Sequence, residues 1–501
     1  MNISTTISNR TRMLAAAFAM MMIIMPTTSL GQQQTPPPPT APRSVRFPQP
    51  VERTLKNGLR VIVIERSGVP LVSAQMTIKN GSEVDPPQLA GLANMTATLL
   101  TKGTASRGAP EIAEAIEKLG GSLESDARWD ASTVTLSVMA AKIDPAMEIL
   151  ADVVRHPTFK KEEIERQRQQ TLDSLSVALR QPGTLARFVA SRVVFGDAPY
   201  GHSLGGTPET ITGIKRDDIA RLHTAYYRPN NAILVLGGQI TPDAAFALAE
   251  RLFNDWIKPS TELPAPSTEV VKSSGTEGKA RVVVIDKTDA GQAAVVVARR
   301  GLRRTDEDYF RALVANSILG GGYSARLNQE IRIKRGLSYG AGSTLEVRRD
   351  VGSFIALTQT KNESGAEVAQ LLIGEVGRLA SASVPEAELV PRKAALIGTY
   401  ARMLETSAGL VEQVASLALY GLQLDEINKY IEGVQAVAAS DVQRLAGMRL
   451  AASGAHIIVV GNAKLFIDSL RKQFPNVEVI PENELNLNEA GLRRNVSGQA
   501  K

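Results

Sequence analysis

The feature that most constrains this 501-residue chain is that it repeats itself once, at long range. Leu59-Arg60-Val61-Ile62-Val63-Ile64-Glu65 resembles Ala280-Arg281-Val282-Val283-Val284-Ile285-Asp286. Ile233-Leu234-Val235-Leu236-Gly237-Gly238 resembles Ile457-Ile458-Val459-Val460-Gly461-Asn462. The offsets are 221 and 224 positions, so both ends of a unit recur at nearly constant spacing. A period of about 200 residues is too long for a solenoid, whose repeats run to roughly 45. It implies two domains of the same fold.

Each unit mixes strands with helices. The first predicts strands at 59–65 and 71–78, the former after an Asn57-Gly58 turn signal. Thr133–Met139 alternates Val134, Leu136 and Val138, the mark of a half-buried strand. Helices are expected over 88–100, 109–119, 145–155, 161–179, 182–194 and 216–227, before a final strand. Strands this close in sequence point to α/β (α+β) units, each a mostly antiparallel sheet covered by helices on one face.

Breaks in composition set the boundaries. Residues 1–31 read as a signal peptide: Arg10 and Arg12, a twelve-residue apolar run Leu14–Met25, then small residues Ser29 and Gly31. Such a leader implies a periplasmic or secreted protein, unless it is retained as an anchor helix. The run is too short to span a bilayer comfortably, and no other segment reads as a stable membrane span. Residues 32–50, with Pro36-Pro37-Pro38-Pro39, form a Pro-rich tether. The first domain is then 51–257, a Pro/Ser/Thr/Gly linker 258–279, the second domain 280–480, and a polar tail 481–501. The net charge of +6 is spread among interspersed acids and bases, and only 4% of residues are aromatic. That balance argues against nucleic acid as a partner. With no cysteine, disulfides, thiolate metal sites and cysteine nucleophiles are excluded.

Three stretches bear on chemistry. Residues 91–104 run Gly-Leu-Ala-Asn-Met-Thr-Ala-Thr-Leu-Leu-Thr-Lys-Gly-Thr. A helical zinc site of the H-x-x-E-H kind places two imidazoles on one helix face with a carboxylate base beside them. The chain has four histidines, His156, His202, His223 and His456, and none lies within four residues of another. Gly201-His202-Ser203-Leu204-Gly205 matches the G-x-S-x-G pattern, but loop residues precede it and Thr207-Pro208-Glu209 opens a fresh helix after it. A nucleophile elbow needs a strand running straight into the serine and a helix straight out. Gly320-Gly321-Gly322-Tyr323-Ser324-Ala325-Arg326-Leu327 lacks the G-K-[ST] end of a phosphate loop. On its own, the segment through Gly340 reads as a flexible turn and a solvated basic helix end.

The frame G-L-A-x-x-x-x-x-x-L-x-K-G-T resembles the zinc helix of the insulinase-like (pitrilysin-type) metallopeptidases. The resemblance extends over roughly residues 50–475, and the loop from Pro199-Tyr200-Gly201 to Gly206-Thr207-Pro208-Glu209 is similar too. It implies a pair of like α/β units enclosing a peptide-holding chamber. The family's H-x-x-E-H positions fall on Asn94, Ala97 and Thr98, and its later Glu ligand is matched at best by Asp173. The resemblance therefore implies no metal cofactor on this chain. It also matches Arg332 and Tyr339, seven residues apart, to an Arg/Tyr pair that faces the zinc across the cavity. Such a pair clamps a substrate carbonyl and donates to an oxyanion. Lys334 and Arg335 are expected to face solvent. Some relatives are heterodimers in which one subunit holds zinc and the other holds substrate. The expectation is a non-zinc subunit that binds peptide substrate and supplies Arg332 and Tyr339 in trans to a homologous zinc-bearing partner. A non-catalytic scaffold or peptide-binding protein is the alternative, and a self-sufficient peptidase with atypical ligands a third.

Overall fold

Val61–Ile64 and Ile233–Leu236 are continuous apolar runs, and every one of their side chains is buried. Strands that read this way are covered on both faces. The computed structural model describes residues 47–264, 280–450 and 454–494 and shows how both faces are covered. The leader 1–31, most of the tether and residues 265–279 of the linker lie outside the described residues.

The first sheet contains β1 (Val51–Thr54), β2 (Arg60–Glu65), β3 (Leu71–Ile78), β4 (Ser122–Ala127), β5 (Ser132–Met139) and β6 (Ala232–Gly238). Their order is β1-β2-β6-β3-β5-β4. The second contains β7 (Val282–Asp286), β8 (Ala293–Arg300), β10 (Ser338–Leu345), β12 (Ser353–Thr360), β13 (His456–Gly461) and β14 (Val477–Pro481), ordered β10-β12-β8-β13-β7-β14. A two-residue parallel ladder joins β9 (Leu302–Arg303) to β11 (Val347–Arg348). Five strands correspond one for one: β2-β6-β3-β5-β4 with β7-β13-β8-β12-β10. In both units the first and last strands of the repeat pair in parallel, Arg60 opposite Ile233 and Val282 opposite Ile457. The remaining main-sheet pairings are antiparallel, apart from β14 on β7.

On one face each sheet packs against helices of its own domain. Val61, Val63, Leu234 and Leu236 enter that core in the first domain. The alternate residues Ile62, Ile64, Ile233 and Val235 point the other way and meet Leu410, Val411 and Val414 of the helix Ser407–Leu419, which belongs to the second domain. The exchange is reciprocal. Helix Pro182–Phe195 of the first domain lays Leu185, Val189 and Val193 on Val283, Ile285, Val296, Ile458 and Val460 of the second sheet. Each buried aliphatic side chain contributes about 1.5–3 kcal/mol, so the exchanged helices weld the domains together. Gly237 lets the visiting helix come close: a Cβ there would lie 2.6 Å from Val411 Cγ2.

A buried polar cluster joins the domains beside these helices. Asp130 accepts from Tyr200 Oη, Tyr420 Oη and the Arg349 backbone N–H. Arg349 also reaches Glu83 at 3.1 Å and the carbonyls of Lys79 and Asp130. Burial pushes the Glu83 carboxyl up to about 7, and Arg349 opposes the rise. Arg348 lies over the rings of Trp129, Phe195 and Tyr200.

The expectation of a polar tail from 481 onward is corrected for residues up to 494. Leu485 and Leu492 are buried in the core beneath helix Pro182–Phe195. The Leu487 carbonyl accepts from Arg192 Nε, and Asn488 Oδ1 accepts from Thr207. Three leucines in a polar sequence suffice to anchor the segment. At the other end Phe47 packs edge-on to Tyr400, and its backbone exchanges two hydrogen bonds with the Asn428 amide. Among the described residues no helix is long and apolar enough to cross a membrane.

Candidate functional site

The first-domain half of the site is built on helix Leu92–Leu99. Asp85 holds its N-terminus, accepting from Gly91 N at 2.9 Å and Ala93 N at 2.8 Å. Complete burial drives the Asp85 carboxyl pKa well up, against the pull of those amides. Gly91 has φ of 94°, a left-handed turn that favours glycine. The helix packs against β4 and against the long helix Lys161–Arg180.

Asn94, Ala97 and Thr98 fall on this helix, where the resemblance placed them. Asn94 is half-buried and donates through Nδ2 to Asp126 Oδ1 at 3.2 Å and to the Ala127 carbonyl at 3.4 Å. Ala97 is fully buried. Thr98 Oγ1 donates back to the Asn94 carbonyl at 2.9 Å. Asp173 lies exposed on the long helix and accepts from Gln169 at 2.9 Å. A methyl group, a back-bonded hydroxyl and a carboxamide offer nothing like the imidazole and carboxylate set that zinc takes. These residues do not fit the metal the fold family implies. Among the described residues no three His, Cys, Asp or Glu side chains group so as to hold a metal ion.

The histidines have other partners. His202 is buried, with its ring nitrogens 3.0 Å from the Ser203 carbonyl and 2.9 Å from that of Ser82. His223 lies 2.9 Å from the Val154 carbonyl and stacks on Tyr227, and burial holds its pKa at about 4. His456 sits at the start of β13, and burial followed by nearby arginines takes it to about 4. His156 is a half-exposed partner of Asp152. Ser203 follows a single turn, Pro199–Gly201, and is buried in a loop, so the stretch lacks the strand–serine–helix geometry of a nucleophile elbow.

The second-domain half is different. A Cβ on Gly320 would collide with the backbone nitrogen and hydroxyl of Ser343, and one on Gly321 would lie 2.7 Å from Ser317 Cα. These glycines let the loop lie directly on β10, where the Gly320 carbonyl accepts from Ser343 N at 3.1 Å. The flexible turn expected from sequence is thus a close-packed one. Arg332 rides on a π-helical turn, Gln329–Ile333. Such turns recur at functional sites because the extra residue re-aims a side chain. Tyr339 sits where the pairing of β10 with β12 shifts register, and it is 89% exposed.

The structure brings the two together. Arg332 Cζ lies 4.7 Å from the Tyr339 ring centroid. A third residue, not singled out in the sequence, completes the group: the Tyr323 ring lies 4.9 Å from the same Cζ. Tyr323 is itself 63% exposed. Lys334 and Arg335 are exposed as expected, yet both pair with Glu330, and their contacts lower its carboxyl pKa. Arg332 has no carboxylate partner among the described residues. No hydrogen bond, ion pair or ring contact links it to Asn94, Thr98 or Asp173.

Comparison with known proteins agrees with this architecture. Residues 60–207 match the family described as Insulinase (Peptidase family M16), and residues 213–396 match the Peptidase M16 inactive domain. An uncharacterized zinc protease of Mycobacterium leprae is 26% identical over 393 residues, 78% of this chain and 87% of the relative. One from Streptomyces coelicolor is 25% identical over 400 residues, 78% and 85% respectively. Among solved structures, a peptidase M16 inactive domain from Pseudomonas fluorescens matches with a TM-score of 0.74 and 25% identity, over 82% of this chain and 98% of that one. A protease from Helicobacter pylori, 21% identical, has the same fold: TM-score 0.76 over 83% and 100%. The chain belongs to the insulinase-like M16 peptidase family.

Proposed function

We propose that this chain is the exported, substrate-holding subunit of a two-chain metallopeptidase, with zinc carried by a homologous partner. The observation behind the reading is an imbalance between the two half-sites. The first has lost the chemistry of a metal site at Asn94, Ala97 and Thr98 while its helix stays capped and packed. The second keeps an unneutralised guanidinium against an exposed phenol, the equipment for gripping a peptide carbonyl and an oxyanion. Neither group needs a metal on its own chain. The leader 1–31 would carry the protein to the periplasm or beyond.

The test is co-expression with a related chain bearing an intact H-x-x-E-H motif. The pair should cleave peptides, this chain alone should not, and purified alone it should carry far less than one zinc equivalent. Arg332→Ala or Tyr339→Phe should reduce cleavage by about 100-fold or more, the scale of one lost oxyanion contact. Full activity in both variants would sink the reading. Peptide binding with no gain in cleavage on adding any zinc-bearing relative would favour the scaffold alternative.

A further inference from the structure

Arg332 Cζ lies over two rings, and the Arg/Tyr pair accounts for only one of them. Tyr323 and Tyr339 are 16 positions apart and sit on different elements, a loop and a strand. A buried side chain bridges the two segments. Asn328 is 3% exposed, and its Nδ2 donates to the Tyr323 carbonyl at 2.6 Å. Its Oδ1 accepts from Ala341 N at 3.2 Å, two residues beyond Tyr339 on β10. The Gly320 carbonyl ties loop to strand a second time through Ser343 N. Rings left 63% and 89% exposed are held in place by their backbones rather than by burial.

Stacking suits a guanidinium in a way it does not suit an ammonium. The faces of the planar ion are weakly hydrated and lie against rings, while its N–H donors radiate in the plane. With rings 4.9 and 4.7 Å from its Cζ, the in-plane N–H donors are what remain for a ligand. The neighbouring cations Lys334 and Arg335 are engaged with Glu330, so the free positive edge in this turn belongs to Arg332.

We propose that Tyr323 is a positioning residue for peptide recognition, the second jaw of a Tyr323–Arg332–Tyr339 clamp that presents the guanidinium edge to a planar oxygen acceptor of the peptide main chain. The inference rests on the substrate-holding reading above, and it adds that the aromatic ring at 323, without its hydroxyl, sets the strength and geometry of that grip.

The test uses the full chain, wild type and with Tyr323→Phe, Tyr323→Leu and Arg332→Ala. The first readout needs no ligand: the Arg332 Nε–H resonance in arginine-labelled protein. Ring current from two stacked tyrosines should move it upfield. Tyr323→Phe should keep the shift and Tyr323→Leu should lose a large part of it. The second readout is binding of an unstructured peptide with blocked ends, followed by fluorescence anisotropy. Tyr323→Leu should weaken it about two- to fivefold, the loss of one exposed cation–π contact, and Tyr323→Phe should restore it. Arg332→Ala should weaken it further. Binding lost in Arg332→Ala but unchanged in Tyr323→Leu overturns the role of Tyr323 and leaves the substrate-holding reading standing. An Arg332 resonance indifferent to Tyr323→Leu overturns the clamp. No peptide binding by the wild type overturns the substrate-holding reading, and the inference with it.

Discussion

Adding one methyl group at Gly320 should separate a packing role from a flexibility role for the triple glycine. The Gly320 φ of −149° is negative, outside the left-handed region that favours glycine. The obstacle is contact: the new Cβ would overlap the Ser343 nitrogen and Oγ and lie 2.7 Å from the Gly342 carbonyl carbon. Two of those atoms are backbone of β10 and cannot rotate away. Overpacking of this kind costs about 1–3 kcal/mol. Moving the loop aside would also strand the buried Ser343 N–H that Gly320 now satisfies, another ~1–3 kcal/mol. The sum is about 2–6 kcal/mol, or a fall in Tm of roughly 4–24 °C for a domain of this size. Gly322→Ala is the control, because a Cβ there meets only Arg392 Nη1 at an ordinary 3.7 Å. It should lie within ~0.5 kcal/mol of wild type. Urea unfolding followed by tyrosine and tryptophan fluorescence measures both. A Gly320→Ala chain within 1 kcal/mol of wild type, or a Gly322→Ala chain equally damaged, would refute the packing argument.

Three further outcomes follow from the interdomain contacts and from His223. Leu410→Ala empties a fully buried position on the visiting helix and should cost about 2–5 kcal/mol; hydrogen exchange should speed up in β2 and β6 of the first domain, and loosening confined to the second domain would contradict the exchange. Removing Arg349 and Glu83 together should cost less than the sum of the single changes, with a coupling of about 1–3 kcal/mol in a double-mutant cycle; additivity would mean the pair does not join the domains. His223 is held at about 4 in the fold, below its usual 6.5, so the unfolded chain takes up the proton first. Its contribution is present above pH 6.5 and is lost as the pH falls towards 4, by about 1–3 kcal/mol; His223→Gln should flatten that part of the urea-midpoint profile, and an unchanged slope would count against it.

How much of this was legible beforehand varied with the kind of signal. The repeat was visible because β2, β6, β7 and β13 are buried on both faces and kept their apolar runs. β1 and β4 escaped notice because they are edge strands: Val-Glu-Arg-Thr is wholly exposed, and Ser-Leu-Glu-Ser-Asp-Ala has only Leu123 and Ala127 to pack. β14 was hidden in what read as the run-up to a polar tail. The helix at 182–194 was legible and that at Ser407–Leu419 was not, and nothing local says that a helix covers another domain's sheet. The degenerate positions Asn94, Ala97, Thr98 and Asp173, with Arg332 and Tyr339, came from the family frame. Tyr323 did not, since a ring that stacks across a loop-to-strand gap leaves no mark in spacing, and its tether Asn328 looks like any helix asparagine.

The exchanged helices also set a timetable. On a ribosome the first sheet is complete at Gly238, yet the helix that roofs its outer face ends at Leu419. At about 5–20 residues per second the gap lasts roughly ten to forty seconds. Throughout it Ile62, Ile64, Ile233 and Val235 have no cover, and the amino-terminal half cannot finish folding ahead of its twin. The last element the first sheet needs thus belongs to its twin. A nascent chain with this wiring keeps the outer face of its first sheet open until most of the second domain has been made.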